Sequence, residues 1–401
     1  MLKIPTAFIL AATTIAVPAF AADTFPVTIE HALGTTTIEA KPNRVVTWGW
    51  SAQDVVIDLG VEPVGMPFFA YGGGEDGILP WTEAALAEQG MDLPAILPNS
   101  TEPPLEAIAA LAPDVIIAPY SGLTEDEYAT LSNIAPVVAF PDRAWFATWQ
   151  QVVTMTGQAL GLSEEAEALV AQTAAWMIEQ RDAYPEIEGT VFANIVNRND
   201  GQVSVRIEGD PRVQLFTDIG MVPAGEAEGG ALVDTKIAYL LSYENFDRIP
   251  ADMLLSFFSS QQSADDFFAM DLIQLSPLVG KGAYTNLVGD EPTMAVSGAI
   301  TPASLRWGFP EVIAEVGRAA AAASSRGRIT PSRSEYPDRA VRCANGGTSG
   351  RSGWDRARRT TSSAASPAPR ARRNRNNLSR FSRNASSSPD EGWSFATAVR
   401  I

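Results

Sequence analysis

The sequence predicts an α/β protein of two lobes joined by a single long helix, with a ligand cleft between the lobes and a disordered C-terminal tail. Three observations predict it. Short apolar runs alternate with helical stretches in both halves of the 401 residues, the pattern of strands and helices in layered α/β proteins. A long amphipathic stretch separates the halves. An eight-residue Glu–Asp spacing recurs on either side of it, in the same helix–strand context.

Phe25-Pro26-Val27-Thr28-Ile29 and Thr35-Thr36-Thr37-Ile38 read as strands around a Gly34 turn. Arg44-Val45-Val46-Thr47-Trp48 is a buried-strand run, and residues 52–59 follow with Val55, Val56 and Leu59 at helical spacing before Gly60. Pro63-Val64-Gly65-Met66 is the next strand. Strand, helix and strand in so short a span imply a parallel βαβ unit, so the lobe is Rossmann-like. The beat recurs with a helix over 105–111, whose Leu105, Ile108 and Leu111 share a face, and the strand Val115-Ile116-Ile117-Ala118. A short helix at 131–134 and the strand Val137-Val138-Ala139-Phe140 complete this half.

Residues 148–184 are helical in pattern. Leu162-Ser163-Glu164-Glu165 supplies an N-cap and first-turn acids, and Ala166, Leu169, Val170, Thr173 and Met177 form one stripe. At about 1.5 Å per residue such a helix is roughly 30 Å long. A second α/β half follows, with the strand Thr190-Val191-Phe192-Ala193-Asn194-Ile195-Val196, a helix over 215–219 closed by Gly220, and the strand Met253-Leu254-Leu255-Ser256-Phe257-Phe258. Glu106 and Asp114 bracket a helix before a strand in the first half. Glu244 and Asp252 do the same in the second.

The chain thus divides into an export signal (1–21), a first lobe (22–148), a connecting segment (149–184), a second lobe (185–320) and a tail (321–401). The signal rests on Lys3, an apolar stretch over 4–17 too short to span a bilayer, and the small-x-small site Ala19-Phe20-Ala21. No cysteine lies near that cut, which excludes a lipid anchor there, so a soluble periplasmic location is expected. The only cysteine is Cys343, so no disulfide forms within the chain.

The net charge of −18 argues against nucleic acid or an anionic membrane as the main partner. From Arg326 onward sixteen arginines face five acidic residues, a net +11, which leaves −29 on the residues before it. Such a segment cannot bury enough apolar surface to offset its ordering entropy. It reads either as a disordered basic tail or as the product of a shifted reading frame near 320–326. Runs such as Arg370-Ala371-Arg372-Arg373 favour the second, since they lack aromatic or helical patterning.

Catalytic groups are scarce. His31 is the only histidine and fits a structural role at a sheet edge, and there is no CxxC or HExxH metal motif. Gly72-Gly73-Gly74 lacks the Lys-Ser/Thr of a phosphate loop, and no Gly-x-Ser-x-Gly elbow is present. Spacing alone leaves a carboxylate-pair hydrolase open. No catalytic residue, resident metal or cofactor is assigned, and a binding protein rather than an enzyme is expected.

Open α/β sheets bind ligands at the carboxyl ends of their strands. In the first half those positions hold Trp48, Trp50, Phe69, Tyr71, Tyr120, Arg143 and Trp145; Arg198, Phe258 and Arg306 are the second-half candidates. Each aromatic alone reads as core packing. As a set, rings and guanidinium forks suit a large, oxygen-rich, anionic ligand.

The chain resembles the class III periplasmic binding proteins of iron-siderophore importers, related to ferric hydroxamate, ferric dicitrate and vitamin B12 binders. The matching stretches include Pro42-Asn43-Arg44-Val45-Val46, Leu59-Gly60-Val61-Glu62-Pro63-Val64-Gly65, Leu105-Glu106-Ala107-Ile108 with Ala112-Pro113-Asp114-Val115, and Leu241-Ser242-Tyr243-Glu244. The similarity covers about 25–318 and leaves the Arg-rich tail without a counterpart. It implies a rigid connecting helix with a small hinge motion, and a monomer that delivers a ferric siderophore to a two-fold ABC importer permease dimer. Iron would be present only inside the chelate. The resemblance also implies that Glu106 and Glu244 dock onto permease arginines. Heme or a corrinoid is the alternative ligand within the class, and an enzyme on the same plan the alternative outside it.

Overall fold

Short apolar runs, many of them β-branched, form the sheets of this protein, and helices close over them. A computed structural model describes residues 23–289, 291–298 and 300–324, all within the unit Met1–Ile329. The export signal at 1–21 and the tail beyond 324 lie outside the described residues.

The first lobe opens with an antiparallel hairpin, β1 (Val27–His31) and β2 (Gly34–Ile38). His31 has the structural place expected of it. Its Nε2 lies 2.9 Å from the Thr36 hydroxyl, and its ring meets Tyr128 edge-on. Then come β3 (Val45–Thr47), α1 (Ala52–Asp58), β4 (Gly65–Met66), α2 (Pro80–Gln89), β5 (Ala95–Ile96), α3 (Leu105–Ala110), β6 (Val115–Ile117), α4 (Glu125–Leu131) and β7 (Val137–Val138). The five strands β3 to β7 form one parallel sheet in the order β5-β4-β3-β6-β7.

Two local expectations for this lobe need correction. The helix expected at 131–134 ends at Leu131 and starts six residues earlier, because Thr124 and Glu127 form a reciprocal capping box. On α3 only Ile108 is buried, and Leu105 is 36% exposed.

The connecting segment is two helices, α5 (Trp149–Leu160) and α6 (Ser163–Asp182), parted at Gly161, whose φ of 69° ends α5 in the left-handed region. Ser163 does not cap α6. It is the first helical residue, and its hydroxyl donates to Asp23 at 2.5 Å.

The second lobe contains β8 (Val191–Asn197), β9 (Gln202–Arg206), α7 (Pro211–Asp218), β10 (Val222–Pro223), β11 (Ala231–Leu232), β12 (Ala238–Ser242), a 3₁₀ segment Tyr243–Arg248, and β13 (Met253–Phe258). It continues through α8 (Gln261–Phe268), α9 (Asp271–Gln274), α10 (Pro277–Gly280), β14 (Leu287–Val288), α11 (Glu291–Ser297) and α12 (Pro302–Ser324). Its seven-stranded sheet is mixed: β10, β13 and β14 run parallel to the β8 direction, while β9 is antiparallel to both β8 and β12.

The repeated Glu–Asp spacing has a structural half. Asp114 accepts the backbone N–H groups of Asn43 and Arg44 at 2.8 and 2.9 Å, beside the start of β3. Asp252 accepts the Val191 N–H at 3.0 Å, at the start of β8. In each lobe the aspartate pins the chain at the start of the neighbouring parallel strand, by satisfying backbone donors there.

The lobes share more than α6. The last helix, α12, begins at Pro302, where Thr301 and Ser304 cap each other, and its apolar face runs through Leu305, Phe309, Val312, Ile313 and Val316 across the internal proline. It continues to Ser324, four residues past the expected boundary, with Ala323 buried. Val55 of α1, Trp149 of α5, Phe216 of α7 and Phe309 of α12 belong to one apolar cluster, a common spine behind the cleft. Met294, Ala295 and Ala303 pack instead with Ile57, Phe69 and Leu86, so part of the 185–320 segment returns to complete the first lobe.

A buried carboxylate anchors that return. Asp54 accepts from Trp81 Nε1 and the Thr301 hydroxyl at 2.9 Å each, from Thr82 at 2.5 Å, and from Gln53 at 3.0 Å. Burial raises its pKa to about 6, more than its hydrogen bonds to Thr82 and Thr301 lower it. A raised folded-state pKa stabilises the fold fully below the unfolded value, and that stabilisation is lost as pH climbs through the folded one. From about pH 4 to about pH 7 this group should therefore remove roughly 3 kcal/mol of stability. In urea melts, Asp54→Asn should gain on wild type by about that amount across the window. A pH-independent difference would show that Asp54 does not titrate there.

Candidate ligand cleft

Four aromatic residues stand in the loops after adjacent strands of the first sheet. Tyr71 follows β4, Trp50 follows β3, Tyr120 follows β6 and Trp145 follows β7, so their order matches the strand order. They form two pairs. Trp50 and Tyr71 stack with centroids 6.4 Å apart, and Tyr120 meets Trp145 edge-on at 5.8 Å. The backbone is shaped to bring them close. The Trp50 N–H donates to the Tyr120 carbonyl at 2.9 Å, and a Cβ on the intervening Gly49 (φ 85°) would lie 2.5 Å from that oxygen. Trp145 holds φ 64°, unusual for a bulky residue, while its indole covers Gly122, where a Cβ would sit 2.5 Å from Nε1.

Two loops of the 185–320 segment close on this row. A Cβ at Gly289 would lie 3.5 Å from the Tyr71 hydroxyl, and one at Gly298 would lie 3.2 Å from the Trp50 ring. Tyr120 packs against the shared apolar spine. The charges acting on its hydroxyl are those of Arg212, Asp210 and Arg206, although burial has the larger effect and raises its pKa.

Those three residues form a compact ionic group. Arg206 ends β9 directly across from Asn194 of β8, and its Nη1 donates to Asn194 Oδ1 at 3.1 Å. Asp210 caps α7 through the Arg212 N–H and accepts both Nε and Nη2 of Arg212 at 2.7 Å, a planar two-pronged contact. Arg206 Nε lies 3.6 Å from the same carboxylate. Burial, and then Arg212, lowers the Arg206 pKa to about 10, which leaves it charged at neutral pH. Burial would raise Asp210, but the two guanidiniums outweigh it and hold the carboxyl below its usual range.

The other sequence-derived candidates lie in different surroundings. Trp48 and Phe258 are buried in the first-lobe and second-lobe cores. Phe69 is buried beneath Trp50, edge-on at 6.0 Å. Arg143 is exposed at the rim, 4.0 Å over the Phe146 ring, and donates to the Thr235 carbonyl of the second lobe at 3.3 Å. Arg198 pairs with Asp200 in the β8–β9 turn at 3.1 Å, and Arg306 pairs with Asp58 of α1. Sequence reasoning missed Arg206, Arg212, Asp210 and Asn194. Gln202-Val203-Ser204-Val205-Arg206 alternates as a strand, and Asp210-Pro211 is a helix-start signature, so the elements were legible though their facing was not.

Glu106 and Glu244 are both exposed, in the first turns of α3 and of the 3₁₀ segment. Hydrogen bonds from its own backbone N–H and then from Ser242 lower the Glu244 pKa. Among the described residues, no group of three His, Cys, Asp or Glu could hold a metal ion, and no helix is long and apolar enough to cross a membrane.

A family model described as periplasmic binding protein matches residues 45–280. The Fe(3+) dicitrate-binding periplasmic protein FecB of Escherichia coli (strain K12) is 32% identical over 163 residues, 40% of this chain and 51% of FecB. The probable siderophore-binding lipoprotein YfiY of Bacillus subtilis (strain 168) is 30% identical over 145 residues, 36% of this chain and 41% of YfiY. The matched stretches thus span about half the length of these curated relatives, or less. Among solved structures, Streptococcus pneumoniae TIGR4 PiaA in complex with ferrichrome superposes with a TM-score of 0.66 at 29% identity, covering 74% of this chain and 99% of PiaA. A periplasmic solute binding protein from Mycobacterium smegmatis gives 0.61 at 27% identity, over 73% of this chain and 98% of that one.

Proposed function

This chain belongs to the periplasmic binding protein family, and from that premise we propose that it captures a ferric siderophore in the cleft and hands it to an ABC importer. One observation carries the reading: a row of four aromatic side chains, of which Tyr120 feels the charges of a half-buried pair of arginines that a single carboxylate only half neutralises. Rings contact the organic frame of a chelate, and guanidinium N–H groups bond its anionic oxygens. The iron arrives fully chelated, so the protein supplies no ligand to it. Trp50, Tyr71, Tyr120 and Trp145 form the apolar wall, Arg206 and Arg212 the anion-binding wall, and Arg143 the rim. The names of FecB, YfiY and PiaA support this choice of ligand.

In this reading the protein works as a periplasmic monomer that binds without chemical conversion. Glu106 and Glu244 offer one exposed carboxylate per lobe to arginines of the two-fold permease. Tryptophan fluorescence tests the ligand assignment, because Trp50 and Trp145 border the cleft. Titration with ferric hydroxamates and ferric citrate should quench it saturably, whereas heme and cobalamin should not compete. Absence of quenching by every ferric chelate would defeat the proposal.

A further inference from the structure

Asp210 is a carboxylate lodged inside an anion-binding wall. Its side chain is 1% exposed, and both oxygens are taken up by cations, Arg212 at 2.7 Å on each and Arg206 at 3.6 Å. Two guanidiniums and one carboxylate leave one net positive charge facing Tyr120 and the aromatic row. The donors exceed what these bonds consume. A guanidinium carries five N–H groups, and Asn194 Nδ2, beside Arg206, is buried without a hydrogen-bond partner.

We propose that Asp210 sets the charge of the ligand, so that the cleft selects a ferric siderophore bearing one negative charge. This deepens the siderophore reading and rests on it. An uncharged chelate would leave a desolvated guanidinium uncompensated, and a triply charged one would bring in two charges without partners. Asp210 is a positioning residue in this scheme. It holds the Arg212 fork and cancels one of the two positive charges.

Charge can be varied without changing the iron core. Ferric linear tris-hydroxamates ending in a free amine, an N-acetyl group or an N-succinyl group carry one positive, no and one negative net charge. A ferric tris-catecholate carries three negative charges. Fluorescence titration of the full chain should rank the succinyl complex tightest, above the acetyl, the amine and the catecholate. Asp210→Asn keeps a good helix cap and adds one positive charge. Relative to the acetyl complex, it should favour the succinyl complex by about tenfold and the catecholate by more. A merely structural loss would weaken all four alike.

Equal wild-type affinities for the three tris-hydroxamates, a wild-type preference for the catecholate, or unchanged ratios in D210N would overturn charge selection while sparing the siderophore reading. No binding of any ferric chelate by wild type would overturn both.

Discussion

Replacing Arg206 with alanine is expected to weaken binding of an anionic ferric chelate by about ten- to a hundredfold. Hydrogen bonds to charged groups contribute about 1.5–3 kcal/mol, and each 1.4 kcal/mol is a factor of about ten in affinity. Arg206 is poised for that role because its guanidinium is fixed before ligand arrives, by Asn194 on one side and Asp210 on the other. Arg206→Lys should recover part of the affinity, since it restores the charge but not the planar fork. Arg306→Ala is the control, because Arg306 pairs with Asp58 of α1, and its loss should change affinity less than about twofold. Calorimetric titration reads all three, with thermal melts to show that each variant folds. An Arg206→Ala protein that binds like wild type would remove the anion-binding wall from the mechanism.

Reversing charge at Glu106 and Glu244 together should abolish uptake of the chelate and leave its affinity unchanged. Both side chains are exposed, so reversal costs no buried partner. What changes is the encounter. Like charges opposed across an interface cost several kcal/mol and slow association, and a two-fold permease meets the same defect on both lobes. Single reversals should each retain partial transport. Uptake of radioiron by cells expressing each variant, beside in vitro titrations of the same proteins, separates docking from binding. Lost affinity in the double variant, or undiminished uptake, would contradict the docking role.

Asp114 and Glu106 show how far a sequence repeat can be read. Their spacing recurs at Glu244 and Asp252, and it marks two halves of one plan. Yet the two members of each pair serve different ends: the aspartate bonds the backbone of the neighbouring strand, while the glutamate stays in solvent. The antiparallel strand β9 and the capped start of α12 were readable as elements. Their placement was not, because pairing partners lie far apart in the chain: Thr301 bonds Asp54 across 247 residues.

The sequence by itself determined the parallel first sheet, the helical connection, the aromatic residues at the strand ends and the shortage of catalytic groups. Each of these follows from local periodicity or from composition. Only the tertiary structure decided which arginines stand beside Tyr120 and its aromatic neighbours. Arg198 and Arg206 both sit at strand ends beside polar residues, and nothing local separates them. Register does. Arg206 lies opposite Asn194 and within reach of Asp210, whereas Arg198 is turned into a surface pair with Asp200. The direction of a side chain relative to a cleft depends on which strand it is paired with, and that partner is chosen by the fold.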